Sequence, residues 1–217
     1  CPVVVRVPAG GGRCYGATHS QMLEAWFVHA PGIKVAVPST PADAKGLLKT
    51  AIRDDNPVLF IEHKMLYGQK GTLPDSDDHL TPFGKARVVC EGDDLTIIAW
   101  SWMAAEAERA AAELEESDIF AEVIDPRTLN PLDITTLVES ACNTGRVMIV
   151  EEACRTGGIS AEIAAQIFEQ AHDFLDAPIR RLASPDVPVP ASPALEQAML
   201  PNAQKIVDAA RELVEGA

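Results

Sequence analysis

Apolar positions along the chain fall into two spacings. Val3 to Val7, Ile33 to Val37 and Val58 to Ile61 are short, near-continuous runs rich in β-branched residues, the pattern of strands buried on both faces. Between the last two, Ala44, Leu47, Leu48, Ala51 and Ile52 recur at helical spacing. Ser39-Thr40-Pro41-Ala42-Asp43 opens that helix with a hydroxyl cap, a proline in the first turn and an acid, and Asp54-Asp55-Asn56-Pro57 closes it. Between the first two, Met22, Leu23, Trp26 and Phe27 place a bulky stripe on one helix face, ended by Pro31-Gly32. The order is βαβαβ, which predicts a parallel sheet covered on both sides.

The alternation repeats beyond residue 85. Strands are predicted at Ala86 to Cys90, Leu95 to Ala99, Ala121 to Ile124, Arg146 to Val150 and Ile179 to Ala183. Helices are predicted at Ala104 to Leu114, Ile134 to Ser140, Ser160 to Gln170 and Asn202 to Val214. This half also reads as doubly wound α/β, with a mainly parallel sheet. Ligands of such sheets meet the carboxyl ends of strands, which here carry Asp125-Pro126-Arg127 and Glu151-Glu152, with Gly157-Gly158 beyond. The glycine pair is either a phosphate loop or a tight turn into a helix.

One non-periodic stretch interrupts the first half. Gly10-Gly11-Gly12-Arg13-Cys14-Tyr15-Gly16 runs into Thr18-His19-Ser20-Gln21, which has the spacing of a capping box. His19 is therefore expected at the first helical position, where free amides and the positive dipole end disfavour an imidazolium. A neutral ring there suits proton transfer; the alternative is a polar residue that merely starts a helix.

Composition narrows the class. The chain has 217 residues, 47% of them hydrophobic, enough for a sizeable core. Its longest apolar stretch, Leu95 to Ala105, is broken by Thr96 and Ser101 and falls short of the roughly 18 residues of a membrane span. No membrane partner is expected. Five scattered cysteines without a C-x-x-C pair point away from a disulfide framework or a zinc site and towards a reducing cytoplasm. Because the sequence opens inside a strand without an initiator Met, a piece of a longer polypeptide is expected.

The net charge of -14 is unevenly spread: residues 1–85 carry +1 and residues 86–217 carry -15. With the polar, proline-bounded stretch holding Asp75, Asp77 and Asp78, this shift places a linker at 69–84 between units 1–68 and 85–217. So acidic a second half repels nucleic acid and suits a basic protein partner; the alternative is a solvated surface.

These residues resemble a known family. Arg6-x-Pro8, Gly16 to Gln21, His29 to Val35, Asp43 to Leu48, Ala51 to Pro57 and Glu62-x-x-x-Leu66-Tyr67 are similar to the beta subunit of the thiamine-diphosphate-dependent decarboxylating component of 2-oxo acid dehydrogenase complexes. Asp125-x-Arg127-Thr128-Leu129-x-Pro131-Leu132-Asp133 and Glu151-Glu152 through Gly158 continue the likeness into a transketolase-type C-terminal domain. The resemblance implies that the chain comprises the distal part of a transketolase-type pyrimidine-binding domain followed by that C-terminal domain. It implies oxidative decarboxylation with reductive acylation of a lipoyl group, and it makes His19 the active-site histidine. It also implies a structural potassium ion held by Val3, Ala51, Ile52, Asp54 and Asn56. Read without the family, the last two are only part of a helix stop.

Thiamine diphosphate and magnesium are expected only in an assembled enzyme. The family's activating glutamate belongs to a segment preceding Cys1, and the G-D-G magnesium motif belongs to the alpha subunit, so no residue here is expected to bind the cofactor and the chain alone is expected to be inactive. Implied partners are the alpha subunit, a second beta subunit, and the subunit-binding and lipoyl domains of the acyltransferase core. An acetoin dehydrogenase beta subunit and a non-catalytic module retaining only dimerising and docking surfaces are the alternatives.

Overall fold

The computed structural model describes residues 1–76 and 78–216; Asp77 of the expected linker lies outside the described residues. The elements of the first half are β1 (Val4–Ala9), α1 (Glu24–Val28), β2 (Lys34–Ala36), α2 (Pro41–Ile52) and β3 (Val58–His63). They are followed by β4 (Arg87–Cys90), β5 (Leu95–Ala99), α3 (Trp102–Glu115), β6 (Ala121–Asp125), β7 (Thr128–Asn130) and α4 (Ile134–Thr144). Then come β8 (Val147–Cys154), α5 (Ile159–Ala171), β9 (Arg180–Ser184), α6 (Pro193–Met199) and α7 (Ala203–Glu215). At α2 and α7, sequence and structure agree on the element. Thr40 Oγ1 caps α2 by accepting from the Asp43 amide at 3.1 Å, and the Asn202 side chain accepts from the Lys205 amide at 3.0 Å to start α7.

Two sheets form, in the orders β1-β3-β2-β7 and β4-β6-β5-β8-β9. The βαβ units pair in parallel, while β4 and β7 join antiparallel at the sheet edges. The fold is α/β, as expected. β7 was not foreseen: after Arg127, held at φ 58°, three residues of the second half return to pair with β2 in the first sheet. A three-residue strand has too little periodicity to be read in advance.

The core crosses the boundary between the halves. Val35, Val37, Leu59 and Ile61 of the first half belong to one continuous apolar cluster with Ile98, Trp100, Leu137, Ile149 and Ile163 of the second half. A second cluster lies between the second sheet and the α3–α7 pair, so that sheet is covered on both faces. The connecting stretch is tethered along α2. Thr81 is buried, its carbonyl accepts from Thr50 Oγ1 at 2.7 Å, and a Cβ on Gly46 would stand 2.2 Å from Thr81 Oγ1.

Residues 17–20 form a turn, and α1 is only five residues long, beginning at Glu24. The His19 and Ser20 amides both donate to Gly16 O, and the Gln21 side chain donates to Ala17 O at 2.8 Å. The expected capping box is thus corrected: these groups close a turn on themselves and no helix starts there. The expected stripe is corrected too, for Met22 is buried while Trp26 is 72% exposed, and the inward position goes to Glu24.

Candidate active site

β1 and β3 are adjacent and parallel, with Ala9 opposite His63, so the glycine loop leaves the sheet where the His63 side chain begins. Gly10 has φ +88°, and a Cβ there would lie 2.0 Å from His63 Nε2, so only glycine lets the backbone cross the imidazole. The second half meets this point through β8. The Gly11 amide donates to Glu152 Oε1 at 2.6 Å, and His63 Nε2 lies 2.7 Å from Glu152 Oε2. His63 Nδ1 accepts from the Met65 amide at 3.2 Å, which leaves the ring proton on Nε2, donated to Glu152. Trp102 stacks on the same ring at 6.1 Å.

A second carboxylate holds the loop further on. Glu196, 2% exposed at the start of α6, accepts from the Cys14 amide at 2.9 Å. It also raises the Cys14 thiol pKa by hydrogen bonding, with desolvation and its charge adding to the effect. Gly12, Cys14, Met65, Trp102, Glu106 and Glu196 border a cleft of about 590 Å³ beside the loop.

His19 lies exposed at the far end of the loop, and the Lys64 ammonium donates to its carbonyl. Burial lowers the Lys64 pKa while Glu152 and Glu196 pull it upward, and the ammonium stands 5.7 Å from the Tyr15 ring centre. His19 is therefore oriented by a turn and a lysine rather than by a helix dipole.

Glu24 is completely buried and accepts from Trp100 Nε1 at 3.0 Å through Oε1, while its Oε2 has no partner. Desolvation pushes its pKa up to about 7, and the charges of Glu151 and Glu152 add to the rise. Glu151, likewise raised by burial, accepts from Ser160 Oγ at the start of α5. A Cβ on Gly158 would come within 2.2 Å of Glu151 Oε1. Between the two readings of the glycine pair, the structure selects the turn, because the chain's own carboxylate fills the anion position that α5 would offer a phosphate.

Asp125, also fully buried, accepts from Ser39 Oγ and from the Arg127 amide at 2.8 Å, with Arg87 at 3.5 Å. Burial raises its pKa to about 6. Arg127 reaches Asp43 of α2 at 3.3 Å. The Asp125-Pro126-Arg127 stretch thus ties the halves together.

The residues implied for potassium lie at the end of α2 and the adjoining ends of β1 and β3. The Val3 carbonyl accepts from the Val58 amide at 2.9 Å and that of Ala51 from the Asp54 amide at 3.3 Å. Asp54 accepts from both Asn56 nitrogens at 2.9 Å and pairs with Lys34, whose hydrogen bond is the main cause of its lowered pKa. Carbonyl and carboxylate oxygens suit a large monovalent cation, although Lys34 already brings one positive charge to Asp54.

His63, Glu24 and the inward role of Glu196 were not foreseen. The available signals were a histidine ending an apolar strand run and a glutamate inside an apolar stripe.

Two parallel-sheet units joined through a shared core, with a glycine loop at their junction, define a transketolase-type α/β protein. The family description "Transketolase, pyrimidine binding domain" matches residues 1–70 and "Transketolase, C-terminal domain" matches residues 84–206. The chain belongs to this family.

It is 47% identical over 210 residues to the pyruvate dehydrogenase E1 component subunit beta of Rhizobium meliloti (strain 1021), covering 97% of this chain and 46% of the relative. It is 48% identical to the 2-oxoisovalerate dehydrogenase subunit beta of Bacillus subtilis (strain 168), covering 99% of this chain and 66% of the relative. It is 46% identical to the acetoin:2,6-dichlorophenolindophenol oxidoreductase subunit beta of Cupriavidus necator, covering 99% and 63%. The chain thus spans about half to two thirds of the length of these relatives. A solved split-gene transketolase, described as an inactive beta4 tetramer, superimposes with TM-score 0.78 at 28% identity, over 98% of this chain and 66% of that one.

Proposed function

We propose that this chain forms part of the beta subunit of a thiamine-diphosphate-dependent 2-oxo acid dehydrogenase and carries its active-site histidine, His19. The observation that carries the reading is an exposed histidine on a glycine loop pinned at the junction of the two sheets, in a chain 46–48% identical to beta subunits over nearly its whole length. Thiamine diphosphate, when bound, supplies the nucleophilic carbon and the electron sink for decarboxylation. The diphosphate and its magnesium belong to the alpha subunit in this reading.

The chain's own contribution is positioning and proton transfer. An exposed imidazole fixed through its backbone can donate to a substrate carboxylate or oxyanion and return a proton during acyl transfer to a lipoyl arm. Lys64 fixes the His19 carbonyl, and Glu196 fixes the loop before it. The working assembly contains two alpha and two beta subunits, docked on the acyltransferase core, with units 1–68 and 85–217 joined by 69–84. Potassium at Val3, Ala51, Ile52, Asp54 and Asn56 is part of the same reading. Pyruvate, a branched-chain 2-oxo acid and acetoin are the candidate substrates. Among the described residues no helix is long and apolar enough to cross a membrane.

In a complex assembled with an alpha subunit, His19→Ala should lower overall activity by roughly 10²-fold or more with cofactor affinity nearly unchanged, the scale of losing a positioned acid–base group. Retention of most of the activity overturns the assignment.

A further inference from the structure

Glu152 stands where the two halves meet, yet neither the proposed reaction nor the family resemblance gives it a task. It is 6% exposed, and both of its oxygens are used by the first half: Oε1 by the Gly11 amide at 2.6 Å and Oε2 by His63 Nε2 at 2.7 Å. His63 is followed directly by Lys64, which holds the His19 carbonyl, and the loop that Gly11 opens leads into the His19 turn. Two routes therefore run from one carboxylate to His19, one on each side of it. Both cross from β8 of the second sheet to the carboxyl ends of β1 and β3.

We propose that Glu152 is a positioning residue for His19, a latch by which the C-terminal half sets the geometry of the glycine loop. The inference rests on the reading of His19 given above. The latch demands two accepting oxygens. Gly11 offers only an N–H, and His63 must offer Nε2–H because its Nδ1 is committed to the Met65 amide. Glutamine keeps the size of Glu152 but turns one acceptor into a donor. Flipping the imidazole tautomer does not help, since Nδ1–H would then face Met65 N–H. Loss of one acceptor should free the loop without emptying the core around it.

Hydrogen exchange and kinetics test the two ends of the inference. In the folded chain, Glu152→Gln should speed amide exchange across residues 10–20 by about tenfold or more while α3 and α7 keep their protection, as for a local opening. Adding His63→Gln, which allows an amide–amide pair, should restore part of the lost protection. In the assembled enzyme, Glu152→Gln should lower kcat by about 10² with KM for the 2-oxo acid little changed, as expected for a displaced acid–base group. On a His19→Ala background it should cost nothing more.

Unchanged loop exchange in folded Glu152→Gln overturns the latch, and so does an opened loop with unchanged kcat. If Glu152→Gln does not fold, His63→Leu, which leaves Glu152 one donor short, replaces it with the same expected opening and the same overturning result. Full activity of His19→Ala would instead remove the reading of His19, and loop exchange alone would then decide whether Glu152 is a latch.

Discussion

Glu24 shows how far a single residue can depart from its place in the pattern. It interrupts an apolar stripe, yet it is the one side chain of α1 that is completely buried, with Trp100 as partner to one oxygen and nothing for the other. The neutral acid is the form that tolerates this position. The folded chain keeps the proton up to about pH 7, whereas the ordinary value is 4.5, so the unfolded chain releases it earlier. The resulting stability is complete below the unfolded value and is lost as pH rises through the folded one, about 3 kcal/mol at most. Glu24→Gln keeps the Trp100 hydrogen bond and cannot ionise. Its melting temperature should therefore gain on that of the parent as pH rises from about 5 to 8. Parallel melting curves across that window would show that Glu24 is not the titrating group.

At the scale of the element, α2 is the most complete unit. Its cap, proline, first-turn acid and apolar spacing all lie within a few residues, so its limits could be read locally. Its C-terminal end gathers the oxygens proposed for potassium, where the negative end of the helix dipole also favours a cation. A potassium ion bound only by the folded chain should raise the melting temperature relative to a large organic cation at equal ionic strength, following RT ln(1 + [L]/Kd). Asp54→Ala should abolish that difference. Equal melting of the parent in both salts would leave Lys34 as the cation that Asp54 serves. The His19 segment is the contrasting case. It carries a cap-like spacing, but a proper cap needs a helix behind it, and Gly16 draws the amides of His19 and Ser20 into a turn instead.

For the whole molecule, the imbalance of charge is the feature with a consequence for assembly. The -15 of residues 86–217 includes Glu196, but the structure buries it against the glycine loop. Asp208, Glu212 and Glu215 of α7 remain exposed, Glu212 paired with Arg180 at 2.8 Å. If this face docks a basic subunit-binding domain of a cognate acyltransferase, association should weaken with salt, since screening confines steering to about 8 Å at physiological ionic strength. Asp208→Lys together with Glu215→Lys should then slow association more than it speeds dissociation. Calorimetry at low salt with two folded partners and no heat of binding would reduce the acidic half to a solvated surface.

The sequence by itself determined the α/β class, nearly every strand and long helix, the α2 cap and the family, because periodicity, capping and motif order are local properties written along the chain. Tertiary structure alone decided the joining of the halves. β7 crosses into the first sheet, Asp125 and Arg127 tie β6 to α2, and one core cluster runs through both units. It also decided which carboxylates turn inward. Glu24, Glu152 and Glu196 are held inward by partners far along the chain, namely Trp100, Gly11 with His63, and the Cys14 amide, while Glu151 meets Ser160 at the start of the next helix. Burying a carboxylate is tolerable only where such donors or a retained proton meet it, and for Glu24, Glu152 and Glu196 that meeting exists only once the two halves have come together.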